Sequence, residues 1–410
     1  MATAVYKMRR WVSDKRIVAA VFLVITLAVS AQALLLGKKT YVEGEPAYNR
    51  YNNYTIFARS FYHLRQDQNL YILYPDEHFD LYKYSPSFAA LFGLFAVFPD
   101  WIGLSLWNIV NAFSLLVAVY CLPRLSLYQQ GGILLLCLID LMGSMQNEQS
   151  NGVMAGLIIL AFALLERKKY SLATLCLMIT VYVKLFGIVG FVLCVFYPKK
   201  EKIVLYAALW AGVLFGIPLL FTSVEQYLVQ LSAWSELLSN DHSASYGYSV
   251  MGILQAWFGI EPNKLLIVVT GAIVLLAPLL RIKQYTNYTY RLLALALVLL
   301  WVVIFNHKAE SPTFIIAMAG VVIWFVISEK NTMNIMLFGS ACLLTTLSPT
   351  DIFPRSLRKE WIDPYVLKAL PCILIWIKVV YDMLTVKRDY VTERHEKTTG
   401  SVTGNLPVNL

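Results

Sequence analysis

The feature that most constrains this chain is a series of apolar runs, each close to the length needed to cross a bilayer. A transmembrane helix needs about 20 apolar residues, and the first run covers residues 17–36. Of the 410 residues, 14% are charged and 58% are hydrophobic, whereas a soluble domain carries about 25% charged residues. The sequence therefore predicts an all-α fold, a polytopic transmembrane helical bundle.

The apolar runs define ten candidate spans, and no hydrophilic stretch between them is long enough to form a soluble domain. We therefore expect a single transmembrane domain over residues 1–386, and a disordered cytoplasmic tail over the polar residues 387–410. The first run is too long for a signal-peptide core, so it is interpreted as an uncleaved helix. The candidate spans are 17–37, 102–121, 129–145, 152–166, 203–222, 264–280, 290–306, 312–328, 333–347 and 364–386.

Short basic clusters between the apolar runs predict the topology. Under the positive-inside rule they belong in the cytoplasm, together with both termini. Two segments cannot then be single spans. Segment 87–98 is predicted to be half-inserted on the outer side, and 170–197 to be a hairpin of two short helices with Lys184 and Gly187 near its tip. The clusters are Arg124, 167–169, 199–200, Arg281 with Lys283, Lys330, and 387–388.

The opposite face then collects the unusual polar segments. A long extracytoplasmic first loop, 38–86, is expected to carry surface helices, one of them an amphipathic helix over 54–64. The positive-inside rule does not by itself predict that Asp, His, Asn and Gln clusters gather outside, so we expect an extracytoplasmic active site in the plasma membrane. The other polar segments are 146–151 (QNEQSN), the Lys184 tip, 240–249 (NDHSASYGYS), 306–312 (NHKAESP) and 348–358.

The familiar nucleotide-, zinc- and calcium-binding patterns do not occur in the sequence. The six cysteines lie in or beside apolar runs without metal-ligand spacing. The formal net charge of +9 is explained by topology, so nucleic acid is not an expected partner. We expect no metal and no cofactor.

Several short elements, in a fixed order and on the predicted outer side, resemble those of glycosyltransferase family 87, within the GT-C class of enzymes that use polyprenyl-phosphate sugars. The family includes polyprenol-phosphate-mannose-dependent mannosyltransferases. Segment 53–71 is similar to a family segment that opens with Asp and closes with Leu-Tyr. The other elements are 84–88 (YSPSF), 146–152 (QNEQSNG), Lys184 between two short helices, 248–252 (YSVMG) and 306–312, and the resemblance spans roughly residues 15–380.

This resemblance implies a GT-C-like fold and an inverting transfer of a mannose-like hexose, in a single displacement. The donor would be a polyprenyl-phosphate sugar, and the acceptor a lipid or a glycan at the extracytoplasmic face. One position departs from the family pattern, because Asn53 stands where the family has the Asp expected to act as the base. An amide cannot take a proton as a carboxylate does.

A glycosyl transfer needs cations to stabilise the departing phosphate. Lys184 is the leading candidate, because a lysine inside an apolar run is expensive unless it is paired or functional; the alternative is a lysine that snorkels at a helix end. The weaker candidates, which compete with solvated loop charges, are Lys83, His242, His307 and Lys308.

The transfer also needs a carboxylate to deprotonate the acceptor hydroxyl. The sequence ranks Glu77 first and Asp80 second as catalytic residues, because both precede the 84–88 element; Glu148 and Asp241 are also considered. Each competes with an ordinary surface charge. The polar residues expected to bind substrate, besides the cations, are Asn53, Gln146, Asn147, Glu148 and Asp241.

The main alternative function is that of a polytopic lipid or solute transporter, and a non-catalytic membrane scaffold is a further one. Transporters place polar sites near the bilayer midplane in repeated halves, whereas this sequence shows no internal repeat and has its polar residues at helix ends. If the chain is an enzyme, we expect an open cavity lined by Lys184, His307 and loop 72–86. If the chain is a transporter, we expect a central path with two gates.

Overall fold

The computed structural model describes residues 2–44, 46–240, 245–389, 391–393 and 395. Over these residues the chain is a helical bundle with one small two-stranded antiparallel sheet, formed by β1 (Lys38–Thr40) and β2 (Ala47–Asn49). The predicted all-α, polytopic bundle is confirmed.

The N-terminal helices lead into the first loop, and polar side chains mark where they start. Helix α1 covers Ala2–Ser13 and α2 covers Lys15–Leu35. Asp14 Oδ1 accepts a hydrogen bond of 2.8 Å from the backbone N–H of Arg16, which satisfies one of the unpaired donors at the start of α2. The loop then carries α3 (Asn52–Arg65) and runs on to α4 (Pro86–Ala96).

Helix α3 was predicted as a surface helix over 54–64. The helix is present, but α4 covers its apolar face, and Tyr54, Phe57 and Phe61 are buried. A Cβ added to Gly93 of α4 would lie 2.5 Å from Phe61 Cε2, so this close contact needs glycine. The first loop is therefore packed onto the bundle through α4.

The next helices are bent and closely packed. The predicted span 129–145 is divided into two helices that meet at an angle of 42°. Asp140, which the sequence places inside this span, accepts a hydrogen bond of 2.7 Å from Thr346 Oγ1, so it joins two neighbouring segments. The helices here are α5 (Asp100–Tyr120), α6 (Leu127–Leu136), α7 (Leu138–Gln146) and α8 (Asn151–Glu166).

The predicted hairpin over 170–197 is confirmed. Helix α9 covers Tyr170–Val183, a 3-10 helix covers Leu185–Phe196, and Lys184 lies between them in extended conformation. A Cβ on Gly187 would lie 2.6 Å from the carbonyl carbon of Thr180, and one on Gly190 would lie 2.7 Å from Leu177 Cδ2. The two arms are therefore antiparallel and in close contact.

The C-terminal half contains α10 to α18. The predicted span 333–347 changes from α-helix to π-helix at Ala341, and the predicted span 364–386 becomes helical only at Leu370. The α-helices are α10 (Lys200–Gly216), α11 (Val224–Asn240), α12 (Val250–Phe258), α13 (Lys264–Leu276), α14 (Tyr288–Ile304), α15 (Phe314–Ile327), α16 (Thr332–Ser340), α17 (Arg355–Leu357) and α18 (Leu370–Thr385). Short 3-10 helices cover Ile217–Leu220, Ala277–Leu280, Ile282–Gln284 and Ser311–Thr313, and π-helices cover Ala341–Leu347 and Arg358–Ile362.

The core of the bundle is α14, which is buried along its whole length and packs on α15. A helix that is apolar all round belongs in the interior of a bundle or a membrane. In the described part of the chain, three helical segments are long and apolar enough to cross a bilayer alone: Lys15–Leu35, Asp100–Tyr120 and Lys200–Leu220. The bent pair α6–α7 would make a fourth, and the other apolar helices span 10–17 residues.

Arginine side chains from different parts of the chain meet at one end of the bundle. Arg291 Nε donates a hydrogen bond of 2.6 Å to Glu166 Oε1, and both side chains are nearly buried, at 10% and 7% exposure. Beside this pair, Arg167 Nη1 donates to the carbonyl oxygen of Cys121 at 2.7 Å. Arg167 and Arg291, which are distant in sequence, thus lie at the same end of the bundle.

The predicted disordered tail begins with residues that pack on this end. The Asp389 carboxylate accepts a hydrogen bond of 2.9 Å from the backbone N–H of Tyr288 and lies 3.9 Å from Arg124 Nη1. A carboxylate at a helix N-terminus satisfies unpaired donors there, which explains why the start of the tail is held on α14. Most of the tail beyond it, including 396–410, lies outside the described residues.

Candidate active site

A polar cavity of about 280 Å³ lies between the first loop and the turn that joins α7 to α8. Asn52 holds its wall, because its amide both donates to and accepts from the backbone of Phe79, at 2.8 and 2.9 Å. Asn53 Nδ2 donates to the carbonyl oxygen of Asn147 at 2.8 Å, which joins the loop to the turn. Its polar lining includes Arg50, Asn53, Asp80, Lys83, Asn147, Glu148, Gln149 and Glu310.

An apolar cavity of about 500 Å³ lies next to the polar cavity. Its apolar wall comes from the tip of the hairpin and from α11, and includes Val181, Val183, Leu185, Phe186, Trp234 and Leu238. Its basic side chains are Lys83, Lys184, His307 and Lys308. Both cavities are lined by Lys83, Tyr84, Gln149 and Glu310, so they meet at these residues.

A third cavity, the side cavity, has a volume of about 480 Å³ and lies beyond segment 245–247. Its lining includes Tyr246, Tyr248, Gln255 and Asp363, and Tyr248 donates a hydrogen bond of 2.8 Å to Asp363 Oδ1. Glu310 lines this cavity as well as the other two.

The lysine at the hairpin tip starts a chain of hydrogen bonds through two amides. Lys184 Nζ donates to Asn151 Oδ1 at 2.7 Å, and Asn151 Nδ2 donates to Gln149 Oε1 at 2.6 Å. Gln149 Nε2 then donates to Glu310 Oε2 at 2.8 Å. We call this series, Lys184–Asn151–Gln149–Glu310, the amide relay.

The directions within the amide relay are fixed by its two ends. An ammonium group can only donate, so Asn151 must turn its oxygen to Lys184 and its nitrogen to Gln149. Gln149 then has only its nitrogen left for Glu310, which must accept. The relay therefore joins a cation to a carboxylate that acts as a hydrogen-bond acceptor.

Comparison with protein-family models decides the family. The model of glycosyltransferase family 87 matches residues 82–349, well over half of the chain. The chain belongs to glycosyltransferase family 87. The resemblance predicted from the sequence is thereby confirmed, and membership implies a membrane glycosyltransferase. No curated protein matches the chain.

The family 87 match covers most of the site but leaves out most of the first loop. Lys184, Glu310 and the turn at 146–151 lie inside residues 82–349, whereas Asn53 and Asp80 lie before them. The correspondence of Asn53 to the family's Asp therefore stays a prediction. The predicted cavity lined by Lys184, His307 and part of loop 72–86 is present.

His307 and Lys308 line the apolar cavity. Burial, and then the nearby charge of Lys264, lowers the pKa of His307, so this side chain is neutral at neutral pH. Its Nε2 is buried without a hydrogen-bond partner among the described residues. Burial, and then Lys83, lowers the pKa of Lys308.

Of the two carboxylates ranked first, only Asp80 lines the polar cavity. Lys83 Nζ donates to both of its carboxylate oxygens at 3.0 Å. Glu77 faces a separate pocket of about 230 Å³ beside β2 and lies 3.1 Å from His63 Nε2. Glu77 and Asp80, which the sequence analysis ranked together as candidate bases, thus lie at separate pockets.

Glu148 lines the polar cavity but is 1% exposed. Its backbone is left-handed, with φ of 46°, and Trp107 Nε1 donates to its carbonyl oxygen at 2.7 Å. Burial raises the pKa of this carboxyl well above its usual value, while the backbone N–H of Asn53 acts against that shift. Glu148 is therefore protonated more readily than an ordinary glutamate.

The remaining predicted residues have mixed positions. Gln146 lies outside the three cavities and donates to Gln32 Oε1 at 3.0 Å, whereas Asn147 lines the polar cavity. Asp241 and His242 lie outside the described residues. Among the residues that the structure describes, no three His, Cys, Asp or Glu side chains are grouped so that they could hold a metal ion.

Sequence reasoning missed Glu310 and the individual roles of Gln149 and Asn151. Both amides belong to the QNEQSN segment that the sequence singled out, and Glu310 belongs to the NHKAESP segment. The sequence shows that both segments are polar. It does not show which of their side chains face each other, because that depends on how two turns distant in sequence pack together. The available signal was the presence of two polar turns on the same predicted side.

Proposed function

We propose that this chain transfers a mannose-like hexose from a polyprenyl-phosphate donor to a hydroxyl group of a lipid or glycan acceptor. The observation that carries the proposal is the pair of adjoining cavities, one apolar and one polar, with Lys83 where they meet and further basic side chains, Lys184 and Lys308, in the apolar cavity. A polyprenyl-phosphate sugar has the same order of parts: an apolar tail, a phosphate and a polar sugar.

The proposed donor pose follows this order. The isoprenoid tail packs on Val183, Leu185 and Phe186, and the phosphate lies near Lys184 and Lys308. The ammonium of Lys184 is 5.8 Å from the ring centroids of both Tyr84 and Phe186, so it is held among aromatic groups. The sugar then extends into the polar cavity.

The proposed reaction is an inverting single displacement. The acceptor oxygen attacks the anomeric carbon as the bond from that carbon to the phosphate oxygen breaks. The departing phosphate gains negative charge, which preorganised cations stabilise in a site shielded from water. A carboxylate at the cavities takes the proton of the acceptor hydroxyl.

We further propose that the cavities face the extracytoplasmic side of the plasma membrane, with both termini in the cytoplasm. In support, the basic groups Arg124, Arg167 and Arg291 lie together at one end of the bundle, and basic residues favour the cytoplasmic side. Cysteine substitution at Lys200, followed by labelling of intact cells, tests this. Labelling from outside would overturn the assigned side.

The test of function is an assay of the purified full-length protein in nanodiscs with a panel of radiolabelled polyprenyl-phosphate hexoses and alkyl glycoside acceptors. We expect transfer from at least one donor. Lys184→Ala should lower the rate by about a hundredfold or more, as for loss of an oxyanion-hole donor. Lys202→Ala, an exposed lysine that follows the hairpin, serves as the control and should retain transfer.

Two outcomes would count against the proposal. Absence of transfer from every donor in the panel would remove the polyprenyl-phosphate donor class. A folded Lys184→Ala variant with wild-type turnover would remove the phosphate-binding role of the hairpin tip.

A further inference from the structure

We infer that Glu310 is the general base of this transferase, an inference that rests on the proposed function. Glu310 lines the polar, apolar and side cavities, so its carboxylate lies where a donor in the first two cavities would meet an acceptor. Its side chain is exposed to these cavities, in contrast to the buried Glu148.

The amide relay gives this carboxylate a defined position. Gln149 donates to its Oε2, and the carboxylate also accepts a hydrogen bond from the backbone N–H of Thr313 in the short 3-10 helix that follows. A carboxylate has about four acceptor positions, so Glu310 can still accept a hydrogen bond from an acceptor hydroxyl. Because the relay begins at Lys184, it also sets the base in a fixed position relative to the proposed phosphate site.

The other carboxylates near the cavities are less suited to this role. Both carboxylate oxygens of Asp80 already accept a hydrogen bond from Lys83, so an acceptor hydroxyl would have to compete with that ammonium group. Glu148 Oε1 is buried without a partner among the described residues, so an acceptor hydroxyl cannot reach it without movement of its surroundings. Glu77 faces a separate pocket, and residue 53 is an amide.

The chemical step balances with Glu310 in this role. The acceptor oxygen forms a bond to the anomeric carbon, and its proton passes to the Glu310 carboxylate. The electron pair of the breaking bond stays on the phosphate oxygen, so the products are the inverted glycoside, polyprenyl phosphate and protonated Glu310. The proton then passes to water, which restores the carboxylate.

The decisive experiment uses an anionic nucleophile that needs no base. Full-length wild-type protein and Glu310→Gln are compared in nanodiscs with radiolabelled polyprenyl-phosphate mannose and octyl mannoside, with and without sodium azide. We expect Glu310→Gln to bind the donor as wild type does and to lose about a hundredfold or more in transfer rate. Azide should restore turnover of Glu310→Gln by forming the inverted glycosyl azide, without accelerating wild type.

Two further variants make the result specific. Glu225→Gln carries the same change at an exposed position in α11 and should behave as wild type. Asp80→Asn removes the competing carboxylate of the polar cavity, and azide should not restore any rate that this variant loses. Thermal melting of each variant confirms that it is folded.

The outcomes separate this inference from the proposed function. Wild-type transfer together with full activity of Glu310→Gln would overturn the inference alone, as would a loss that azide does not restore. Azide rescue of Asp80→Asn in place of Glu310→Gln would also overturn it, by assigning the base to Asp80. If the wild-type protein transfers no hexose from any of the polyprenyl-phosphate donors, the proposed function itself is rejected.

Discussion

His63 Nε2 lies 3.1 Å from Glu77 Oε2, and the Tyr74 ring stacks on the imidazole of His63 with a centroid separation of 3.9 Å. Glu77 also lies 3.7 Å from Arg59 Nε. These contacts join segment 74–77 to helix α3. They make Glu77 part of the structure of the first loop, outside the three cavities.

The first prediction concerns this carboxylate. Glu77→Gln should retain the wild-type transfer rate, because the carboxylate does not reach a bound acceptor. The variant should lose stability by about 0.5–1.5 kcal/mol, the usual contribution of one hydrogen bond. Transfer assays and thermal melting in nanodiscs measure both effects. A folded variant with a hundredfold lower transfer rate would contradict the prediction and indicate that Glu77 is the base.

The second prediction concerns acid. Burial lowers the pKa values of His63 and His78 in the first loop, although Glu77 acts in the opposite direction on both. The nearby Arg59 lowers both pKa values further, and the two histidines lie with ring centroids 6.5 Å apart. An unfolded histidine has a pKa of about 6.5, so the unfolded chain binds protons more readily than the folded loop.

Stability from these histidines is therefore present above about pH 6.5 and is lost as the pH falls towards their lowered folded pKa values. We expect the melting temperature to fall between pH 7 and pH 5, with earlier proteolysis in the first loop. His78→Asn should show a shallower fall. An equally steep fall in His78→Asn would show that other groups control the acid response.

The third prediction concerns the opposite end of the bundle. Glu166→Ala leaves the nearly buried Arg291 without its carboxylate partner, and breaking a buried pair in this way costs about 3–5 kcal/mol. Asp351→Ala is the matched control, because its pair with Arg355 has side chains that are 87% and 74% exposed and should contribute about 0–1 kcal/mol. Chemical unfolding in detergent compares them, and equal losses would show that the Glu166 pair is not specially stabilising.

The fourth prediction concerns the hairpin that presents Lys184. Gly187→Ala should separate the two arms, because its Cβ would lie 2.6 Å from the backbone carbonyl carbon of Thr180, which cannot rotate away. We expect weaker donor binding and a lower melting temperature. Gly212→Ala in α10, where nothing lies within 4 Å of the added Cβ, should be neutral; a similar loss in both would mean a general cost of alanine, unrelated to the hairpin.

The hairpin and the gathering of polar segments could be predicted from the sequence, because both follow from the free-energy cost of placing charged side chains inside the membrane or on its unfavourable side. A lysine inside an apolar run and basic clusters on both sides of 170–197 leave few ways to thread the chain. The same reasoning placed 146–151 and 306–312 on one side, and the structure brings them together at the cavities.

Other features depend on contacts that the sequence does not specify. The periodicity of α3 indicates an apolar face, but only the packed structure shows that α4, through Gly93, covers it. Likewise, Glu77 and Asp80 are close in sequence but line different pockets. The sequence does not show this separation, nor the left-handed backbone of Asp80, with φ of 75°. The role inferred for Glu310 depends on Gln149, a residue from another turn.

The division between the cavities has a consequence for how substrate preference can diverge. The wall of the polar cavity comes largely from the first loop, most of which lies outside the family match, whereas the hairpin and α11 that line the apolar cavity lie inside residues 82–349. On the proposed function, the hairpin and α11 hold the carrier lipid, and the first loop contacts the sugar. Grafting residues 38–81 from one family member onto another would, on this view, exchange the sugar preference while keeping the carrier lipid.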